Sequence, residues 1–206
     1  MNNTIISSHF IPVSENGTFV DAMTYDLVTN NRIYLFGSVN TAMALEFITN
    51  MDYLMKKVSD SVMPEPISIY INSPGGEVYS GLSIVDKIRQ ARKAGIVVRT
   101  VNCGISASMA SFFLASGTPG ERYSTEHGKV MIHQALGGAQ GQADDVFLAC
   151  EQLMQCQNVL VDILAKDTKH TANVIKKYMN RDTWFTAKEA MDFGLIDNIG
   201  FPKEGA

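Results

Sequence analysis

Short apolar, β-branched runs alternate with stretches of helical periodicity along most of this chain. Runs at 32–37, 67–71, 96–101 and 129–133 read as buried strands. Between them, helical patterns span about 40–59, with Asn40 as its cap, and about 78–93, with Gly95 at its stop. Parallel strands need long crossover connections, so this order implies an α/β fold with a mostly parallel sheet. The third strand ends near Asn102, and the small-residue run at 106–111 opens another helix. Residues 137–142 break the order. A helix of about 25 residues follows from Ala143 to near Asp167, long enough for a domain of this size to project outward. A helix over 172–179, a strand at 183–185 and a last helix from Ala187 complete the pattern. Thr186 and Glu189 form a capping box for that last helix, and Gly194 stops it.

With 206 residues, 46% of them hydrophobic and 18% charged, the chain suits one globular domain with a real core. A net charge of −4 without a basic stripe gives no nucleic-acid footprint, and the Lys176-Lys177 pair reads as a solvated helix face. The three cysteines, Cys103, Cys150 and Cys156, are odd in number and fit no zinc template, so no metal site is expected and the thiols read as reduced. Residues 1–20 carry no clear period and hold a turn signal at Glu15-Asn16-Gly17, as a flexible arm would. They show no basic-then-apolar secretory pattern, and no apolar run approaches the ~18 residues of a spanning helix. A cytoplasmic protein away from membranes is the expectation.

Four histidines are available as a base: His9, His127, His133 and His170. Only His133 ends an apolar strand and precedes a glycine-rich stretch, and parallel folds gather ligands at the C-terminal ends of strands. Position alone leaves a structural histidine as the stronger reading. Ser108 follows a strand at the start of a helix, where unpaired N–H groups favour a developing alkoxide or oxyanion. A plain helix cap at Ser106 or Ser108 is the alternative. Gly75 and Gly76 follow another strand end and can turn backbone N–H groups into a cleft. They belong to neither a phosphate loop nor a dinucleotide fingerprint. For an acid beside the imidazole, Asp182 competes with Asp144, Asp145, Asp162 and Asp167.

Five blocks occur together: Ile71-Asn72-Ser73-Pro74-Gly75-Gly76, Gly104 with Ser106-Ala107-Ser108-Met109-Ala110, Val130-Met131-Ile132-His133-Gln134, Gly137-Gly138 with Gln140-Gly141-Gln142-Ala143, and Asn180-Arg181-Asp182 with Glu189-Ala190 and Gly194-Leu195-Ile196-Asp197. In this order they closely resemble the proteolytic-subunit (ClpP) family of the Clp protease, over about residues 25–200. The resemblance implies a ClpP/crotonase-like fold of repeated ββα units with a handle strand and long helix, the handle spanning about 134–168. Residues 1–24 would be an axial-pore arm, matched loosely, and 201–206 a C-terminal tail. It implies a serine endopeptidase without cofactor, with Ser108 as nucleophile, His133 as base and Asp182 orienting it. The backbone amides of Gly76 and Met109 would form the oxyanion hole. Substrate would run along Gly137, Gly138, Gln140 and Gly141. The implied partners are an AAA+ Clp ATPase of the ClpX, ClpA or ClpC type, docked near Tyr70, unfolded protein substrates, and further copies of the chain in heptameric rings, two of them stacked.

The chain departs from the family pattern in places. Ala135 stands where proline is usual, Ser106 where alanine is frequent, Lys169 where the family tends to glycine, and Ser68 where an aromatic is expected. Two other readings compete: a crotonase-like acyl-CoA enzyme, which needs no Ser-His-Asp set, and a non-catalytic ring subunit.

Overall fold

A computed structural model describes residues 10–12 and 19–203; most of the N-terminal arm, with His9 and the 15–17 turn signal, lies outside the described residues. A small antiparallel pair, β1 (Phe10–Pro12) and β2 (Phe19–Asp21), precedes α1 (Ala22–Asn30). The periodicity gives no sign of α1, because none of its residues is buried and no apolar stripe marks it. Its ends are set chemically instead. Asp21 accepts the Thr24 N–H at 2.9 Å, and Asn31 closes the helix with φ 52°.

The main sheet starts with β3 (Arg32–Phe36), β4 (Ile67–Ser73) and β5 (Val98–Ala107), paired in parallel. The crossovers are α2 (Thr41–Ser59), capped by Asn40 through the Met43 N–H at 2.9 Å, and α3 (Val78–Lys93). Ile33, Leu35, Ile67, Ile69 and Ile71 join Phe47, Met51 and Leu54 of α2 and Ile84, Val85 and Ile88 of α3 in one buried cluster. Burial on this scale, about 1.5–3 kcal/mol per large side chain, is the main source of stability.

One expectation fails here, and the failure positions the site. β5 does not end near Asn102 but continues to Ala107, and the helix opens only after Ser108, as α4 (Met109–Ala115). The continuation is hidden from periodicity because β5 bulges. Ile71 pairs with Asn102, yet Ser73 pairs with Ser106, so extra residues are fitted into β5. The sheet forks at the same place. The first half of β5 pairs with β6 (Arg122–Ser124), and the second half with β7 (Lys129–Ile132). Asn102 spans the fork: its Nδ2 donates to Ser124 Oγ at 3.0 Å and Lys129 O at 3.2 Å, and its Oδ1 accepts from Ser106 Oγ at 3.0 Å. The polar Ser106 is thus accommodated by a buried partner.

After residues 133–142, which pair with no strand among the described residues, comes α5 (Ala143–Thr168). Its first half is largely exposed, whereas Leu160, Val161, Ile163 and Leu164 enter the core. α6 (Ala172–Met179) and β8 (Thr183–Thr186) follow, with β8 antiparallel to β7. α7 (Ala187–Phe193) carries the capping box at Thr186 and Glu189 and ends on Gly194 at φ 85°; β9 (Asn198–Ile199) then pairs with β6. The result is a mixed α/β fold with a mostly parallel seven-stranded sheet. No helix of the described residues is long and apolar enough to cross a membrane.

Candidate active site

Ser108 sits at the turn between β5 and α4, with φ 52° and ψ −125°. A non-glycine residue rarely occupies that region, and holding it there costs on the order of 1–3 kcal/mol. Two fixed neighbours impose it. The Ser108 N–H donates to Met131 O of β7 at 2.9 Å, and Ser108 O accepts the Ser111 N–H at 3.0 Å as α4 begins. The strained turn lifts the hydroxyl out of the sheet toward the end of β7.

His133 is the residue after β7, and its Nε2 lies 2.8 Å from Ser108 Oγ. Its other ring nitrogen, Nδ1, lies 3.1 Å from Asp182 Oδ1. The β7–β8 register explains that meeting. Ile132 is opposite Thr183, so the next residues out along the pair are His133 and Asp182. Thr183 Oγ1 donates to Tyr178 O at 2.6 Å and fixes the turn that delivers Asp182. The imidazole is mostly buried, with 17% of its side chain exposed, while the Asp182 side chain is 63% exposed. A hydroxyl, an imidazole and a carboxylate in this linear order can pass a proton from the serine and hold the resulting imidazolium.

Gly75 and Gly76 bring a second backbone against this turn. A Cβ on Gly75 would lie 2.6 Å from Ser108 Cβ and 2.7 Å from Ala107 O, at φ 92°, so only glycine fits. Gly76, at φ 152°, bridges to Val39, whose carbonyl oxygen would stand 2.2 Å from a Cβ there. The Met109 N–H lies in the first turn of α4, where no intrahelical acceptor exists. Gly76, Ser108, Met109 and His133 line one cleft of about 190 Å³, together with the apolar Val78, Phe112 and Leu160 and the segment Gln134, Ala135 and Leu136. Sequence patterns do not mark these wall residues, because each belongs to an ordinary apolar helix face or to an irregular segment.

The remaining candidates lie elsewhere. His127 is exposed in a loop, and His170 packs against Phe193 with its Nε2 3.0 Å from the Phe193 carbonyl. Asp144, Asp145 and Asp162 are exposed on α5. Asp167 is held by Arg89 Nη2 at 2.8 Å and by the Ser116 hydroxyl at 3.2 Å. Burial pushes the Cys103 and Cys156 thiols up, against any thiolate chemistry. Gly137, Gly138, Gln140 and Gly141 are exposed on the segment leaving the cleft wall. Tyr70 is half-buried against Tyr34, ring centroids 5.4 Å apart, while Ser68 beside it is buried. Ala135 uses the N–H that a proline would lack, donating to Gln157 Oε1 of α5 at 2.7 Å.

A cavity of about 900 Å³ between α1, β3 and α2 holds none of these groups. Among the described residues, the cleft at Ser108 brings together a hydroxyl, an imidazole in contact with it and a carboxylate behind that imidazole, a set suited to acyl transfer. The family model described as Clp protease matches residues 15–203, nearly the whole chain, and the chain therefore belongs to the Clp protease family, whose members are serine peptidases.

Proposed function

We propose that the chain is a serine endopeptidase acting on unfolded protein chains. The observation that carries this reading is the linear contact from Ser108 Oγ through His133 to Asp182, at 2.8 and 3.1 Å. Ser108 Oγ attacks the scissile carbonyl carbon as its proton passes to His133 Nε2. Asp182 holds the imidazole with Nδ1 protonated and stabilises its charged form. The Gly76 and Met109 amides stabilise the oxyanion, each donor lowering the barrier by roughly 3 kcal/mol in comparable sites. Nε2 then returns the proton to the leaving amine, and water resolves the acyl-enzyme by the same route reversed. No step needs a metal or organic cofactor. The chain works as a ring subunit, two heptamers enclosing the sites, with an AAA+ ATPase delivering substrate near Tyr70. Family membership supports ring assembly and ATPase association in general, and the seven-fold ring and the docking point extend it.

Hydrolysis of a short fluorogenic peptide by the assembled protein, with Ser108→Ala beside it, tests the reading. Loss of turnover by at least about 10³-fold is expected, since removing a triad nucleophile leaves only binding and oxyanion contributions. Undiminished turnover by a pure Ser108→Ala sample would remove Ser108 from the mechanism.

A further inference from the structure

The segment from Gln134 to Leu136 forms one wall of the cleft, directly after His133. It has no strand neighbour among the described residues to hold it. Two polar contacts do so instead. Gln134 Nε2 reaches Asn180 O at 3.4 Å, a long and weak contact at an exposed site. The Ala135 N–H donates to Gln157 Oε1 at 2.7 Å, short and partly buried. Because the donor is a backbone N–H, the partner must be the amide oxygen, which fixes the orientation of the Gln157 side chain.

Gln157 stands three residues before Leu160 on α5, so the two share a helix face. Leu160 lines the same cleft. One face of one helix thus supplies an apolar side chain to the cleft and an acceptor to the backbone that borders it. The first half of that helix carries exposed Phe147, Leu148 and Met154.

We propose that Gln157 is a positioning residue for the peptidase reaction: through Ala135 it ties the substrate-facing wall and the chain just after His133 to α5. The inference rests on the peptidase reading above and adds to it a route by which the placement of α5 sets the shape of the cleft. Without the tie, the 134–136 segment moves outward and substrate is held less well. His133 keeps its own contacts to Ser108 and Asp182, so the loss falls mainly on KM.

The test compares wild type, Gln157→Leu and Gln157→Glu, with Ser108→Ala as control. Gln157→Leu keeps the bulk and removes the acceptor; Gln157→Glu keeps an acceptor. KM and kcat for a fluorogenic peptide, the assembly state and the exchange rate of the Ala135 amide are read on the same samples. Gln157→Leu is expected to raise KM by about tenfold, the scale of one lost hydrogen bond to a partly buried donor, with kcat changed by less than about threefold. Gln157→Glu is expected to restore most of the loss. The Ala135 amide should exchange at least about tenfold faster in Gln157→Leu alone. Unchanged KM in Gln157→Leu, equal defects in both variants, or equal Ala135 exchange in all samples would overturn the proposal. Loss of assembly in both would also overturn it, placing Gln157 in a contact between subunits. Persistent turnover by Ser108→Ala would instead defeat the peptidase reading, while the exchange rates would still decide whether Gln157 holds Ala135.

Discussion

At the residue scale, a single strained turn places the hydroxyl proposed as the nucleophile. Ser108 at φ 52° keeps its hydroxyl clear of β5, and Gly75 is required opposite because any Cβ there would strike Ser108 Cβ at 2.6 Å. Asp182 is less constrained. Its side chain is 63% exposed, so water competes for its interaction with His133. A buried triad aspartate exchanged for asparagine lowers kcat by about 10⁴, largely by favouring the wrong imidazole tautomer. For Asp182→Asn we expect a smaller fall in kcat, about 10²-fold, with KM little changed. Steady-state kinetics on a fluorogenic peptide would check it, and a variant within threefold of wild type would mean that Asp182 does not orient the base.

At the element scale, α5 joins a packed end to a bare one. Leu160, Val161, Ile163 and Leu164 are buried, and Asp167 ties this end to Arg89 of α3. The helix closes at Lys169 in the left-handed region, with φ 61°. A side chain with a Cβ is unfavourable there by roughly 1–2 kcal/mol, and glycine is not. Lys169→Gly should therefore stabilise the protein by up to about 1 kcal/mol, part of the gain being offset by the freer unfolded chain. Thermal unfolding beside wild type would register this as a rise of a few degrees; a lower Tm would show that Lys169 makes a compensating interaction. The β7–β8 pair has a different job. It has only four residue pairs, yet its register sets His133 beside Asp182. A slip of one residue in β8 would turn its side chains to the other face and part Asp182 from His133.

At the scale of the whole molecule, Asp197 gathers the C-terminal segment onto the sheet. Burial alone would raise its pKa. The hydrogen bonds and charge of Arg122 and the amides of Gly120 and Arg122 outweigh that and hold the carboxyl below its ordinary value. A depressed carboxylate contributes stability above its unfolded pKa and loses it as pH falls through its folded pKa. Asp197→Asn should lower Tm by roughly 2–4 °C at neutral pH, the size of a 1 kcal/mol loss in a domain of this length. The difference should close under acid conditions, below the usual carboxylate range. A difference that stays constant with pH would assign the effect to packing. The outer surface carries its own prediction. Phe147 and Leu148 on α5 are 63% and 57% exposed in the single chain, and residues so exposed contribute little to the fold. The double variant Phe147→Glu with Leu148→Glu should keep its Tm within about 1 °C as a subunit while sedimenting as a smaller assembly. Unchanged sedimentation would place the ring contacts elsewhere.

Local chemistry determined much of this protein from sequence alone. Periodicity located α2, α3, α5 and α6 closely, since each must present an apolar face; the caps at Asn40, Thr186 and Gly194 follow from unpaired N–H groups and a left-handed stop. The same local reasoning could not show α1, none of whose residues is fully buried, or β6 and β9, which are too short to show a period. It ended β5 near Asn102, because the bulge there breaks the alternation and is stabilised by partners distant in sequence, Ser124 and Lys129. From the residues alone His133 read more readily as structural, and Asp182 was one carboxylate among several. Motif resemblance singled out the pair, but only the β7–β8 register and the turn at Ser108 set them within hydrogen-bond reach. Helices and caps are made from neighbours in the chain and so are written locally. The relay and the hold of Gln157 on Ala135 join residues 22 to 49 positions apart, and only the tertiary structure decides such distances.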